Sequence, residues 1–294
     1  MAYWEWGDRD NGRVLLCVHG LTRTGRDFDT LARRLCGHFR VICPDVAGRG
    51  RSDWLVDPAG YAVPQYVSDM FTLIARLKPQ SLSWVGTSMG GLIALGLQGA
   101  LVLSEAGRPD RGMFGLPADA ALRLDKLVLN DIGPAINGAG LARIGDYVGA
   151  EVGFDTYEEA VRYVQSVSEG FGPHTPEQWE TLARHVFNRV DGRWVKHYDL
   201  RLAQAMAAQR PEALQAAERI LWMAYESLAC PILLIRGRQS DLLLAESARE
   251  MLLRNARARM VEYDGVGHAP TLLTDEQTAP IEHFLLDDSA TRRN

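Results

Sequence analysis

Six short runs rich in Val, Ile and Leu, at residues 14–18, 41–43, 82–85, 127–129, 232–235 and 260–263, constrain this chain more than any other feature of it. Each is too short for a buried helix and most lack strict apolar–polar alternation, the pattern of parallel strands covered on both faces. Helical stretches lie between them. In the clearest, residues 66–77, Val67, Met70, Phe71, Ile74 and Leu77 fall on one face at helical spacing. This alternation predicts an α/β fold, a mostly parallel sheet with helices packed on both faces, with functional groups gathered beyond the carboxyl ends of the strands. At 294 residues and 47% hydrophobic content, the chain has the material for one large core or a core carrying an insertion.

The rhythm breaks between about residues 133 and 225, a span too long for an ordinary crossover. An inserted, mainly helical cap explains it, with helices expected at 157–168, 176–187, 200–209 and 212–225 and a tight hairpin turn at Asp191-Gly192. The expected division is a core of residues 1–131 and 227–294 with a cap at 132–226. Residues 104–122 contain Gly and Pro and read as a surface loop or short extra helix, with no function attached.

Charge and composition narrow the function classes. Lys plus Arg number 32 against 37 Asp plus Glu, a net charge of -5, so no basic surface for nucleic acid is expected. The near-apolar run 91–103 is interrupted by Gln98 and is too short to span a bilayer, so no membrane insertion is expected. Residues 1–12 lack the basic and apolar regions of a secretory signal, which suggests a cytoplasmic location. Cys17, Cys36, Cys43 and Cys230 show no C-x-x-C spacing and read as reduced thiols; no metal-ligand spacing occurs, and neither metal nor cofactor is expected. Oligomeric state is left open.

The chemistry concentrates at Gly86-Thr87-Ser88-Met89-Gly90, which directly follows a predicted strand and precedes a long apolar helix. Glycines at both ends of a Gly-x-Ser-x-Gly segment permit a sharp strand-to-helix turn that lifts the serine hydroxyl above the sheet. The helix N-terminus beneath favours developing negative charge.

With these motifs the chain resembles the α/β-hydrolase family, in its serine-nucleophile, esterase- and lipase-like branch with a helical cap, from Trp4 to Leu286. Cys17-Val18-His19-Gly20-Leu21 resembles that family's strand ending in His-Gly, Asp45-Val46-Ala47-Gly48-Arg49-Gly50-Arg51-Ser52 its acidic glycine-rich turn, and Asn130-Asp131-Ile132-Gly133-Pro134 its exit into a cap. The resemblance implies that the backbone N–H groups of Leu21 and Met89 form an oxyanion hole. His19 is read as a brace of its own loop, and Asp45 as a structural acceptor of backbone amides. Gly265-Val266-Gly267-His268 resembles the family's catalytic-histidine loop, making His268 the general base, since a neutral imidazole can take and return the Ser88 proton.

A carboxylate should fix the tautomer of that histidine. Asp241, after the strand at 232–235 and before His268, is the first choice; Asp131, which ends the preceding strand, is the alternative acid. The expected activity is two-step hydrolysis of carboxylic esters of small to medium apolar molecules, through an acyl-enzyme. Cleavage of carbon–carbon bonds in ring-cleavage products, lactone hydrolysis and a non-catalytic small-molecule receptor on the same fold are the alternatives. Cap side chains such as Phe154, Phe171, Phe187, Trp179, Trp194 and Trp222 are candidates to line the substrate pocket.

Overall fold

The computed structural model describes residues 1–106 and 122–287. The chain opens with β1 (Tyr3–Trp6) and β2 (Arg13–Val18), followed by α1 (Asp29–Leu35), β3 (Arg40–Pro44), α2 (Val63–Leu77), β4 (Ser81–Thr87), α3 (Met89–Ala106) and β5 (Lys126–Asn130). An insertion then carries α4 (Gly138–Val148), β6 (Gly153–Phe154), α5 (Tyr157–Val167), α6 (Pro176–Arg184), β7 (Phe187–Val190), β8 (Arg193–Lys196), α7 (Leu202–Ala207) and α8 (Pro211–Ser227). The core resumes with β9 (Ile232–Gly237), α9 (Ala245–Arg254), β10 (Ala258–Tyr263) and α10 (Asp275–Leu286).

Seven strands form one sheet in the order β1-β3-β2-β4-β5-β9-β10, parallel except for β1, which pairs antiparallel with β3. The sheet explains why its strands read as unbroken apolar runs. In β2, Leu16 and Val18 belong to the core cluster that also holds Met70 of α2, Ile93 of α3 and Met251 of α9, while Leu15 and Cys17 belong to a second cluster with Leu31 of α1 and Phe284 of α10. Both faces are covered, so neither set of alternate residues is polar. Each fully buried Leu or Ile of this kind contributes roughly 1.5–3 kcal/mol, and the central strands hold several each. All six runs expected from sequence are strands of this sheet.

The insertion is mainly helical, but β6, β8 and β7 form a small antiparallel sheet within it. Its hairpin turns at Asp191 and Gly192, both at positive φ (49° and 84°), which the Asp-Gly pair tolerates. The helix expected over 176–187 ends at Arg184, because Phe187 leaves it to pair with Lys196 across the hairpin. Most of the segment 104–122 lies outside the described residues. Among the described residues, no helix is long and apolar enough to cross a membrane.

Candidate active site

The turn between β4 and α3 holds Ser88 at φ 51°, a left-handed conformation that an L-residue adopts only under constraint. The constraint is steric, and two glycines make it possible. A methyl group at Gly86 would lie 2.5 Å from the Gly90 carbonyl, and one at Gly90 would lie 1.9 Å from the Val18 carbonyl oxygen. No larger residue fits at either place. Trp84, buried beneath, donates from its indole nitrogen to Gly90 O at 3.1 Å, tying the turn to the sheet.

His268, in the loop after β10, places Nε2 2.9 Å from Ser88 Oγ and Nδ1 2.8 Å from Asp131 Oδ2. Asp131 follows β5 directly and is completely buried. Its carboxylate accepts from Gly237 N (3.0 Å) on one oxygen and from Ser240 Oγ (2.5 Å) and His268 on the other. A buried carboxylate needs such donors to offset its lost hydration. Asn130 braces the arrangement, donating to Thr87 Oγ1 and to Pro270 O, and so joins the end of β4 to the histidine loop.

Asp241, the first choice from sequence, is not beside the histidine. Its carboxylate accepts two bonds from Arg143 of α4, at 2.5 and 2.9 Å, and its side chain is 40% exposed. The Arg143 bond holds its carboxyl below the ordinary range. The separation of Asp241 from the histidine has a geometric cause. Strands β5 and β9 are neighbours, with Asn130 level with Ile235, so the segments following both strands emerge side by side. Chain order admits either aspartate; Ser240 takes the place beside Asp131 and turns the next residue outward.

Leu21, in the loop after β2, borders the pocket with Ser88, and Met89 is the first residue of α3, where a helix N–H has no partner within the helix. The Leu21 amide is held in orientation by His19. Val46 N donates to His19 Nε2 (2.9 Å), so the ring hydrogen lies on Nδ1 and is donated to Gly20 O (2.7 Å). Gly20 C=O and Leu21 N–H belong to one planar peptide and point in opposite directions, so fixing the carbonyl aims the N–H. Arg49, also fully buried, donates Nε to Leu21 O at 2.8 Å and has Nη2 3.5 Å from Met89 Sδ. Asp45 accepts from Gly25 N and Arg51 N and steadies the same loops.

Burial pushes the His19 imidazole down to about 4, and that of His197 to about 3. Between the unfolded value of 6.5 and these lower values, the unfolded chain binds protons that the native chain does not. Their contribution to stability is therefore fully present above pH 6.5 and is lost as pH falls through this window. Urea unfolding from pH 7 to 4 is expected to show that decline, and His19→Gln, neutral throughout, to flatten it. An equal slope in the variant would remove His19 as a cause.

A pocket open to solvent lies over Ser88. Gly20, Leu21 and Phe28 of the core face Ile144, Tyr147 and Leu182 of the insertion across it. Of the aromatic candidates from sequence, Phe171 lines it. Phe154 and Phe187 pack on each other and on Tyr163 inside the insertion, Trp179 packs on His174, Trp194 on Tyr157 and Trp222 on Tyr225. Arg23 and Asp27, neither anticipated from sequence, also line the pocket. Among the described residues, no three His, Cys, Asp or Glu side chains converge to hold a metal ion.

Residues 15–281 match the model of the alpha/beta hydrolase family. The chain belongs to the α/β-hydrolase family. Within it, the chain is 50% identical over 288 residues, 97% of its own length and 92% of the relative's, to a 3-hydroxybutyrate-oligomer hydrolase of Cupriavidus necator. It is 25% identical to a 2-(acetamidomethylene)succinate hydrolase of Mesorhizobium japonicum, over 92% of this chain and 87% of that one. A crystal structure of an α/β hydrolase from Novosphingobium aromaticivorans superposes with a TM-score of 0.78 at 34% identity, covering 96% of this chain and 92% of that one. The chain is an α/β-type hydrolase with an ester-hydrolase relative.

Proposed function

We propose that this hydrolase cleaves carboxylic esters through an acyl-enzyme, with short oligomers of 3-hydroxyacids as its substrate class. The observation that carries the reading is the unbroken hydrogen-bond chain from Ser88 through His268 to Asp131. Ser88 Oγ attacks the ester carbonyl while His268 takes its proton, and Asp131 holds the imidazole in the tautomer that leaves Nε2 free to do so. The N–H groups of Leu21 and Met89 receive the oxyanion, each donor contributing about 10²- to 10³-fold. His268 then returns the proton to the departing alcohol, and water, activated by the same histidine, releases the acid.

Residues 132–226 act as the cap, supplying the far wall of the pocket through Ile144, Tyr147 and Leu182. The substrate class rests on the 50% identical relative and on the pocket, whose apolar walls suit short alkyl chains. The test sets the trimer of 3-hydroxybutyrate beside p-nitrophenyl esters of increasing acyl length, a lactone and a vinylogous diketone. The trimer is expected to be hydrolysed to shorter hydroxyacids with kcat/KM at least about tenfold above that for a long-chain ester, a margin equal to about 1.4 kcal/mol. Cleavage of the diketone with every ester inert would replace the reading with carbon–carbon bond hydrolysis.

A further inference from the structure

Among the described residues that line the pocket, Arg23 and Asp27 form a charged pair. Arg23, with its side chain 11% exposed, donates from Nε and Nη2 to the two oxygens of Asp27, both at 2.7 Å, and from Nη1 to Leu182 O of the insertion at 3.2 Å. His185 donates from Nδ1 to Asp27 Oδ1 at 3.2 Å. A guanidinium has five N–H donors, so one hydrogen on each Nη has no acceptor among the described residues. The pair is close to Ser88. A methyl group placed on Gly20 would lie 3.7 Å from Ser88 Cβ and 3.8 Å from Arg23 Cγ, so both side chains flank one point that Gly20 leaves open.

Resting on the proposed ester-hydrolase reading, we propose that Arg23 and Asp27 form a subsite for the free hydroxyl end of a 3-hydroxyacyl chain, so that oligomers are cleaved one unit at a time from that end. The charges decide between a hydroxyl and the carboxylate at the other end of such a chain. Burial works against ionisation of Asp27, but the Arg23 charge and the bonds from His185 and Arg23 outweigh it and hold the carboxyl below its ordinary range. An entering carboxylate would meet that negative charge at the guanidinium's side. A hydroxyl is donor and acceptor at once; it accepts from an Arg23 Nη–H and donates to Asp27 Oδ2, and the neutral pair suits a neutral group.

Connectivity favours the same end. With the terminal ester carbonyl at Ser88, the 3-hydroxyl sits two carbons away on the acyl side, within the reach of a neighbouring side chain, whereas the carboxylate lies on the leaving alcohol. The Ser88 oxygen bonds to the carbonyl carbon, the ester C–O bond breaks, and the leaving oxygen takes the proton from His268. That leaving alcohol is the hydroxyl end of the shortened chain, so a shortened chain that still holds an ester is again a substrate. Water then frees one 3-hydroxyacid and restores Ser88.

The test uses the intact enzyme with three forms of the 3-hydroxybutyrate trimer: free, acetylated at the hydroxyl end, and methyl-esterified at the carboxyl end. Acetylation is expected to lower kcat/KM by about 10- to 100-fold, the scale of a hydrogen bond to a charged group, and methyl esterification by less than about threefold. In Arg23→Met/Asp27→Leu, which removes both charges and strands neither, the penalty for acetylation should shrink to about twofold; Asp27→Asn provides a second, more conservative variant, with thermal unfolding as the folding control. Equal cleavage of free and acetylated trimers, with ester hydrolysis intact, overturns the hydroxyl subsite alone. Rejection of the methyl ester instead would make Arg23 a carboxylate reader and overturn it too. Inertness of all three trimers and of ethyl 3-hydroxybutyrate would remove the ester-hydrolase reading and this subsite together.

Discussion

Ser88→Ala is expected to lower kcat for ester hydrolysis by about 10⁶-fold, the scale seen when one member of a cooperating nucleophile and base is deleted. The variant should fold. The backbone bond from Ser88 N to Asn130 O survives, and alanine tolerates the positive φ of 51° no worse than serine. What disappears is the hydroxyl oxygen placed 2.9 Å from His268 Nε2 to attack a carbonyl. A residual rate of about 10³-fold over water is expected to remain from the Leu21 and Met89 amides and from binding. A fluorophosphonate that phosphorylates activated serines should label the wild-type chain once, on the peptide containing Ser88, and leave the variant unlabelled. Label on another residue, or activity within tenfold of wild type, would sink the assignment of Ser88 as nucleophile.

The parts of this molecule that could be read from sequence are those fixed by local chemistry. Strands β2, β4, β5 and β9 are buried on both faces, so their apolar runs stand out; the Asp191-Gly192 turn is dictated by the two residues that make it. Strand β1 is different. Its four residues are all half-buried at the sheet edge, and no apolar run marks them. Helix α4 was hidden by Gly138, Gly140 and Gly145, poor helix formers whose helix depends on burying Ile144 and Val148. The small sheet of the insertion has mostly exposed side chains in β7, so its pairing leaves no hydrophobic signature.

The same distinction runs through the candidate site. Ser88 and His268 sit in short segments whose glycines announce a turn, and the structure brings the two together. The pocket residues Arg23 and Asp27 carry no such mark. As an i,i+4 charge pair they read like any solvated helix pair, and only the tertiary fold buries them beside Ser88. The choice of acid depends on which of two adjacent strand ends faces the histidine, a relation between distant segments.

Asp131→Asn is expected to lower kcat by about 10⁴-fold through the wrong imidazole tautomer. The carboxylate of Asp131 receives Gly237 N on one oxygen and both Ser240 Oγ and His268 Nδ1 on the other. An amide offers only one oxygen. If it stays with Gly237 N, the NH₂ group faces His268 and must be accepted by Nδ1, which drives the ring hydrogen to Nε2. There it points at Ser88 Oγ, and the histidine can no longer take the serine proton. Asp241→Asn should behave differently, because its carboxylate meets Arg143 with both side chains about two-fifths exposed. Solvent screening leaves such a pair worth about 0–1 kcal/mol, so kcat should stay within about threefold and the unfolding midpoint should move little. Both variants can be compared by ester kinetics beside circular dichroism and thermal unfolding. The reverse ranking in two folded variants would transfer the acid to Asp241 and require the histidine loop to move during turnover, while leaving the contact between Ser88 and His268 as it is.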